Sequence, residues 1–508
     1  MSINESLFQS VCDHARQATV LQTVSETLEW DERTQMPHAN GDYRAQQVAA
    51  LETAAHRLRT DAKFGTDLQH LRDQLGDADP NSDQGATIIG LHRDWTRDCK
   101  LPADLVEKLA RARVVGQQLW EKARAADDFS VFSEALANMV ELKREAGKRM
   151  ADGTDRTAYE ALMDTYEPDA RVDQLQKVFD DVRGPLVKLV ADIKNAPKQP
   201  PVEILKRDYP IDSQRDFSRF VTEQIGFDYQ RGRLDETAHP FCTTLGPNDI
   251  RILTRYVRDW LPSGLFGSLH EAGHGMYEQG LRTKDWFGLP PGSYASLGVH
   301  ESQSRLWENQ VGRSRPFWEW LYPHAQERFA SQLGKVDLDD FHFAINSVKP
   351  SLIRVEADEV TYNLHILIRF DLERQLIDGN LTVEELPQAW GDRYKSDLGV
   401  QPPSDANGVL QDVHWSAGLF GYFPTYTLGN LIGAQLYHAA EKNLGSFEGL
   451  FRNGDFAPLL GWLGENVFAG GRCFSGDQIV ERATGEKLSA KYLIDYLRSK
   501  LSPLYQLN

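Results

Sequence analysis

Apolar residues recur at intervals of three and four over ESLFQSVCDHARQATVLQTVSETLEW (5–30) and SVFSEALANMVELKREAGKRMA (130–151). That spacing lays one apolar stripe along a helix. The same period runs through the first 190 residues. It breaks at MPHANGD (36–42), GDADPNSDQG (76–85), the entry at Pro102 and ADGTD (151–155), where turn-forming residues cluster. The proline-rich NAPKQPPVEILKRDYP (195–210) reads as a connection between layers. HPFCTTLGPNDIRILTRYV (239–257) then alternates with β-branched residues after a turn, which predicts a small strand pair. From Ser263 the helical period returns and dominates to the C-terminus, with loops at 288–298 and 399–408. The pattern predicts a mainly α fold, a large helical single body with a minor β element near 239–257. Residues 1–194 are expected to form a helical layer or cap and residues 195–508 the main helical body, integrated as one domain.

Composition changes this picture only by exclusion. The 508 residues carry 56 Lys+Arg against 74 Asp+Glu, a net charge of −18. A chain that grips phosphates needs a positive face, so nucleic acid is not an expected partner. Cys12, Cys99, Cys242 and Cys473 stand far apart, which excludes a cysteine zinc module and suits a reducing compartment. The N-terminus lacks the basic-then-apolar layout of a signal peptide. His414–Ala440 holds no Asp, Glu, Lys or Arg, yet its glycines, Pro424, Asn430 and Gln435 make it too polar for a membrane span. It reads as buried polypeptide around something polar. The expectation is a cytoplasmic protein with no membrane partner.

Candidate chemistry begins at LHEAGHGMYEQG (269–280). His270 and His274 are one helical turn apart, so both imidazoles can grip one metal ion. Glu271 lies about 100° around the helix, where its carboxylate can reach a metal-bound water. Ser263 is a candidate N-cap and Gly280 a candidate stop. Tyr277 and Gly280 occupy the last two positions of a metzincin signature, which excludes that class. A later carboxylate is then expected as third ligand, with Glu278, Asp285, Glu301 and Glu308 as candidates. Glu278 is carried away by the helix and Asp285 sits in a turn. Glu301 and Glu308 share a face of the next helix, Glu301 being preferred and Glu308 next.

Several motifs together resemble the carboxypeptidase Taq family of metallopeptidases, M32. They are His239-Pro240-Phe241; Asp249 and Arg251, followed by Leu253 where the family has threonine; and His270, Glu271, His274. Then come His300-Glu301-Ser302-Gln303; Ile353, Arg354, Ala357, Asp358; and Gly408, Gln411, Asp412, His414, Trp415, with WDERTQMP (30–37) near the start. The resemblance implies a mainly helical fold with a deep groove, in a cytoplasmic homodimer. The implied activity is removal of C-terminal residues from peptides with broad specificity. It also implies a zinc cofactor replaceable by cobalt, with Glu301 as third ligand.

Other residues supply what such a reaction needs beyond a metal. His414, Tyr422 and Tyr426 are candidates for oxyanion or carboxylate binding, by analogy with other helical zinc dipeptidases. Arg354, Asp358, Thr361, His365 and Arg369 fall near one face of an expected helix through SLIRVEADEVTYNLHILIRF (351–370). Arg354 is the expected receiver of the substrate carboxylate, Arg251 its competitor, and Asp358 is expected to orient a ligand histidine. An endo-acting oligopeptidase with the same metal site is the alternative. A non-catalytic interaction protein would have no use for the intact His270–Glu271–His274–Glu301 set.

Overall fold

The computed structural model describes residues 3–507. It is 68% helical with one three-stranded sheet, the mainly α fold expected. Helices end at Thr34, Leu75, Cys99 and Ala151, beside the expected breaks. A further break follows Ala126, where Asp127 takes a left-handed conformation (φ 54°) that stops the helix.

The chain forms two units, each drawn from three stretches. Residues 1–99, 200–345 and 433–487 build the first, and residues 100–199, 346–432 and 488–508 the second. The expected proline-rich connection contains one of the crossings, at 199/200. The first 99 residues group with 200–345 rather than with 100–199.

In the first unit, β1 (Gly232–Glu236) pairs parallel with β3 (Asp249–Thr254), and β2 (Phe241–Gly246) pairs antiparallel with β3. The expected strand pair is β2–β3. β1 is an addition: Arg233, Asp235 and Glu236 hide it from an alternation test, and such charges suit an edge strand. Central β3 buries Ile250, Ile252 and Leu253, and the helix Leu261–Gly280 packs against it. That helix starts two residues before the expected cap. Pro262 fills its first turn, where a missing N–H costs nothing, and Ser263 Oγ donates to Arg255 O instead (3.2 Å). It ends at Gly280, as expected. The helix Leu297–Arg305 lies across it and runs on into a π turn, Leu306–Val311. The two helices approach so closely that a Cβ on Gly273 would sit 2.5 Å from Gln303 O.

In the second unit the buried helix Thr361–Asp378 packs against Ser130–Ala151, Val172–Lys194 and Leu386–Asp397. The expected helix through 351–370 is shorter than its sequence period suggests. Asp358 accepts from Val360 N (2.9 Å) and Thr361 N (3.0 Å), capping the helix there, and Arg354–Glu356 forms only a 3-10 turn before it. The uncharged stretch is buried as expected: His414, Ser416, Thr425, Thr427 and Asn430 are inside, and a helix begins only at Pro424.

Candidate active site

Two clusters of buried polar groups stand out, one in each unit. In the first, His270, His274 and Glu301 each offer a donor atom, and the three atoms lie within 4.8 Å of one another. Glu301 Oε2 is 3.6 Å from His270 Nε2 and 3.3 Å from His274 Nε2. The other nitrogen of each imidazole is already engaged. His270 Nδ1 pairs with Glu308 Oε2 (2.9 Å), and His274 Nδ1 with His300 Nδ1 (2.6 Å). His300 continues to Glu278 Oε1 through Nε2 (2.8 Å), and Thr244 Oγ1 donates to Glu278 Oε2 (2.9 Å). Both rings are thus turned with Nε2 toward Glu301, the arrangement that fixes tautomer and aim in histidine metal ligands.

Arginines hold the carboxylates. Arg305 Nε donates to Glu301 Oε1 (2.7 Å) and Arg305 Nη1 to Glu308 Oε2 (3.2 Å). Burial alone would raise both acids, but Arg305 and His270 outweigh it, holding Glu301 well below the carboxylate range and Glu308 at about 2. Glu271 differs. Burial, reinforced by the neighbouring Glu301 and Glu308 and only partly offset by His270, pushes it up to about 7, and its Oε2 is buried without a partner. A carboxylate poised near neutrality with an unused oxygen fits proton transfer.

In the second unit Asp412 sits between two buried arginines. Arg354 Nε donates to Asp412 Oδ1 (2.8 Å) and Arg369 Nε to Asp412 Oδ2 (2.6 Å). Arg369 is further consumed by His365 O (2.8 Å) and Tyr394 Oη (3.3 Å). Arg354 Nη1 donates to Tyr362 Oη (3.1 Å), while Nη2 has no acceptor among the described residues. Gln411 locks the backbone beneath, its Oε1 accepting from Arg354 N (2.9 Å). His414 Nε2 pairs with Tyr426 Oη (3.1 Å), and the Tyr422 ring lies 5.6 Å from that of His414. Burial, then Arg354, lowers His414 to about 3, and burial, then Arg369, holds His365 well below the ordinary imidazole range, so both stay neutral. Two buried cations therefore face one buried anion. The surplus positive charge invites a carboxylate.

The model of the carboxypeptidase Taq (M32) metallopeptidase family matches residues 10–501. The chain belongs to that family. It is 44% identical to thermostable carboxypeptidase 1 of Thermus thermophilus over 99% of both chains. It is 36% identical to carboxypeptidase 1 of Bacillus subtilis, over 94% of this chain and 95% of that protein. The crystal structure of the M32 carboxypeptidase from Deinococcus radiodurans R1 superposes with a TM-score of 0.95 at 36% identity, covering 99% of this chain and 100% of the other. As an M32 metallopeptidase the protein is a carboxypeptidase, a hydrolase of peptide substrates that uses a divalent metal. The residues fit that metal: two imidazoles and a carboxylate converge, while the opposite face of each imidazole is braced.

Several expected residues are placed differently from their sequence reading. Among the described residues Asp358 bonds to no histidine; it accepts from Lys349 N (3.0 Å) and Thr361 Oγ1 (2.8 Å) and serves as a cap. Arg354 lies outside the expected helix, which starts only at Thr361, and pairs with Asp412. Arg251 gives Nε and Nη2 to Asp249 (2.9 and 2.8 Å) and lies over Trp30 (4.2 Å). Glu308 lies against the far side of His270, and Glu278 reaches His274 only through His300. Sequence reasoning gave no role to Asp412, Gln411, Arg369, His300 or Arg305. Gln411 and Asp412 stand beside His414 in one motif and His300 beside Glu301 in another, so adjacency was the available signal.

Proposed function

We propose that this enzyme is a zinc-dependent carboxypeptidase that releases C-terminal residues with broad specificity. His270, His274 and Glu301 hold the metal, and Glu271 acts as the general base. The observation that supports this reading most is the convergence of those three donors beside a buried Glu271 oxygen that nothing else uses. When bound, zinc supplies Lewis acidity, easing deprotonation of water and polarising the scissile carbonyl. Cobalt has the same preference for imidazole and carboxylate and is the expected substitute.

Glu271 takes a proton from the attacking water and passes it to the leaving amine. Arg354 receives the free carboxylate of the substrate through its unengaged Nη2 side, held in plane by Asp412 and Tyr362. Arg251, already paired with Asp249, is the competing receiver. His414, Tyr426 and Tyr422 donate toward the oxyanion or the bound carboxylate. Holding the group common to all C-terminal residues gives position specificity without side-chain selectivity, which supports the broad range. The four free cysteines suit a cytoplasmic location, and the family resemblance supports a homodimer. Among the described residues no helix is long and apolar enough to cross a membrane.

The test is hydrolysis of a blocked dipeptide and its C-terminal amide by the zinc-loaded enzyme. The proposal expects the free acid to be cut and the amide spared. Equal cleavage of both would favour the endo-acting oligopeptidase.

A further inference from the structure

Within the first unit a cavity of about 490 Å³ opens beside the metal cluster, with His300 and Glu278 in its wall. His300 stacks on His274 at 4.5 Å, so the cavity begins one ring away from a candidate metal ligand. Its walls carry aromatic surface from Phe64, Trp95 and Tyr294; Tyr294 is 40% exposed and its ring stands 5.1 Å from that of His300.

The acids of the wall are matched with one exception. Arg472 binds Asp94 in a two-point pair (2.7 and 2.8 Å), Arg59 faces Asp98 (3.6 Å), and His300 with Thr244 engages Glu278. Glu26, half-buried on the helix Glu5–Thr34, accepts only from Gln22 Nε2 (3.1 Å) and has no cationic partner among the described residues. Glu29, Glu278 and Glu52 add their negative field there, so burial and like charge together push Glu26 up to about 7. A carboxylate lacking a counter-ion beside an exposed aromatic face in a roomy cavity is complementary to an ammonium or guanidinium group.

We infer that this cavity is a substrate subsite for a positive charge upstream of the bond that is cut: a lysine or arginine side chain of the peptide, seated between Glu26 and Tyr294. The inference rests on the peptidase reading and adds a preference to it. The same chemistry would accept the amino-terminal ammonium of a short peptide, and the experiment separates the two sources.

Peptides of fixed length and C-terminal residue carry norleucine, lysine or glutamate at one of the three positions before that residue. Each is made with a free and an acetylated amino terminus. At one position lysine should raise kcat/KM about tenfold over norleucine, mainly through KM, with glutamate worse than either. Indifference to acetylation identifies the side chain as the cation, whereas loss of the preference on acetylation identifies the amino terminus. Glu26→Gln should erase the discrimination, and Glu26→Lys should turn it toward glutamate, a reversal that misfolding cannot produce. Tyr294→Leu should weaken it. If all peptides are cut with equal kcat/KM, or if the preference survives Glu26→Lys, the subsite is refuted while the peptidase reading stands. Failure to cut even the norleucine peptides would overturn that reading and the subsite with it.

Discussion

At the scale of single residues, two glutamates seven positions apart on one expected helical face divide their work. Glu301 lies within 3.6 Å of both imidazole Nε2 atoms, while Glu308 holds His270 from behind. Glu301→Ala should therefore strip most of the metal, and Glu308→Ala should keep the ligand set with affinity weakened about 10–100-fold. Metal per chain across a graded chelator series measures both, and the opposite ranking would give the ligand role to Glu308. The arginine pair makes a second prediction. Arg354→Lys replaces a planar fork with a point charge, so kcat/KM on free-carboxylate substrates should fall by about 1.5–3 kcal/mol, with amidated analogues nearly unaffected. Asp412→Asn should instead cost stability, about 3–5 kcal/mol in urea denaturation, because it leaves two buried guanidiniums without an anion. His270, His274 and Glu271 were legible because a four-residue spacing states a helical geometry by itself. Asp412 and Arg369 are 43 positions apart, and no local period reports such a pair.

Among the elements, the helix that carries His270 and His274 owes its position to a glycine. A methyl at Gly273 would meet Gln303 O at 2.5 Å and Ser304 Cα at 2.7 Å, both backbone atoms that cannot rotate away. Gly273→Ala should lever the helix Leu261–Gly280 from Leu297–Arg305, costing about 1–3 kcal/mol and separating Glu301 from the histidines. Bound metal should drop with stability, and a variant retaining full metal and activity would contradict this packing account. Elements with a clean 3.6-residue period were readable in advance, including most of the first 190 residues. Those governed by polar local contacts were not. Asp358 stops the apolar period of 351–370 from becoming helix before Thr361, and the charged β1 is a strand only because β3 offers its edge.

For the molecule as a whole, the interleaved grouping of the chain into two units was beyond sequence patterning, because long-range pairing leaves no period. One buried acid sets a pH dependence of stability. Glu373 is fully buried in the second unit, accepting from Tyr159 Oη (2.6 Å), Trp415 Nε1 (3.1 Å) and Gly421 N (3.2 Å). Burial pushes it up to about 8 from an ordinary 4.5. Between those values the folded state keeps a proton that the unfolded state has released, so stability falls as pH rises. The contribution is complete below about 4.5 and lost as pH passes about 8. Urea midpoints at both ends of that window should decline more steeply for wild type than for Glu373→Gln; parallel slopes would contradict the assignment.

In the proposed mechanism His270, His274 and Glu301 hold the catalytic metal while Glu271 moves the proton. The most direct measurement is zinc per chain, taken together with kcat on a blocked dipeptide, for wild type and Glu271→Gln. The account predicts equal zinc and a kcat lower by about a hundredfold or more, the size of a general-base contribution. Zinc lost along with activity would make Glu271 a ligand, and zinc and kcat both retained would remove it from the chemistry; either result contradicts the account.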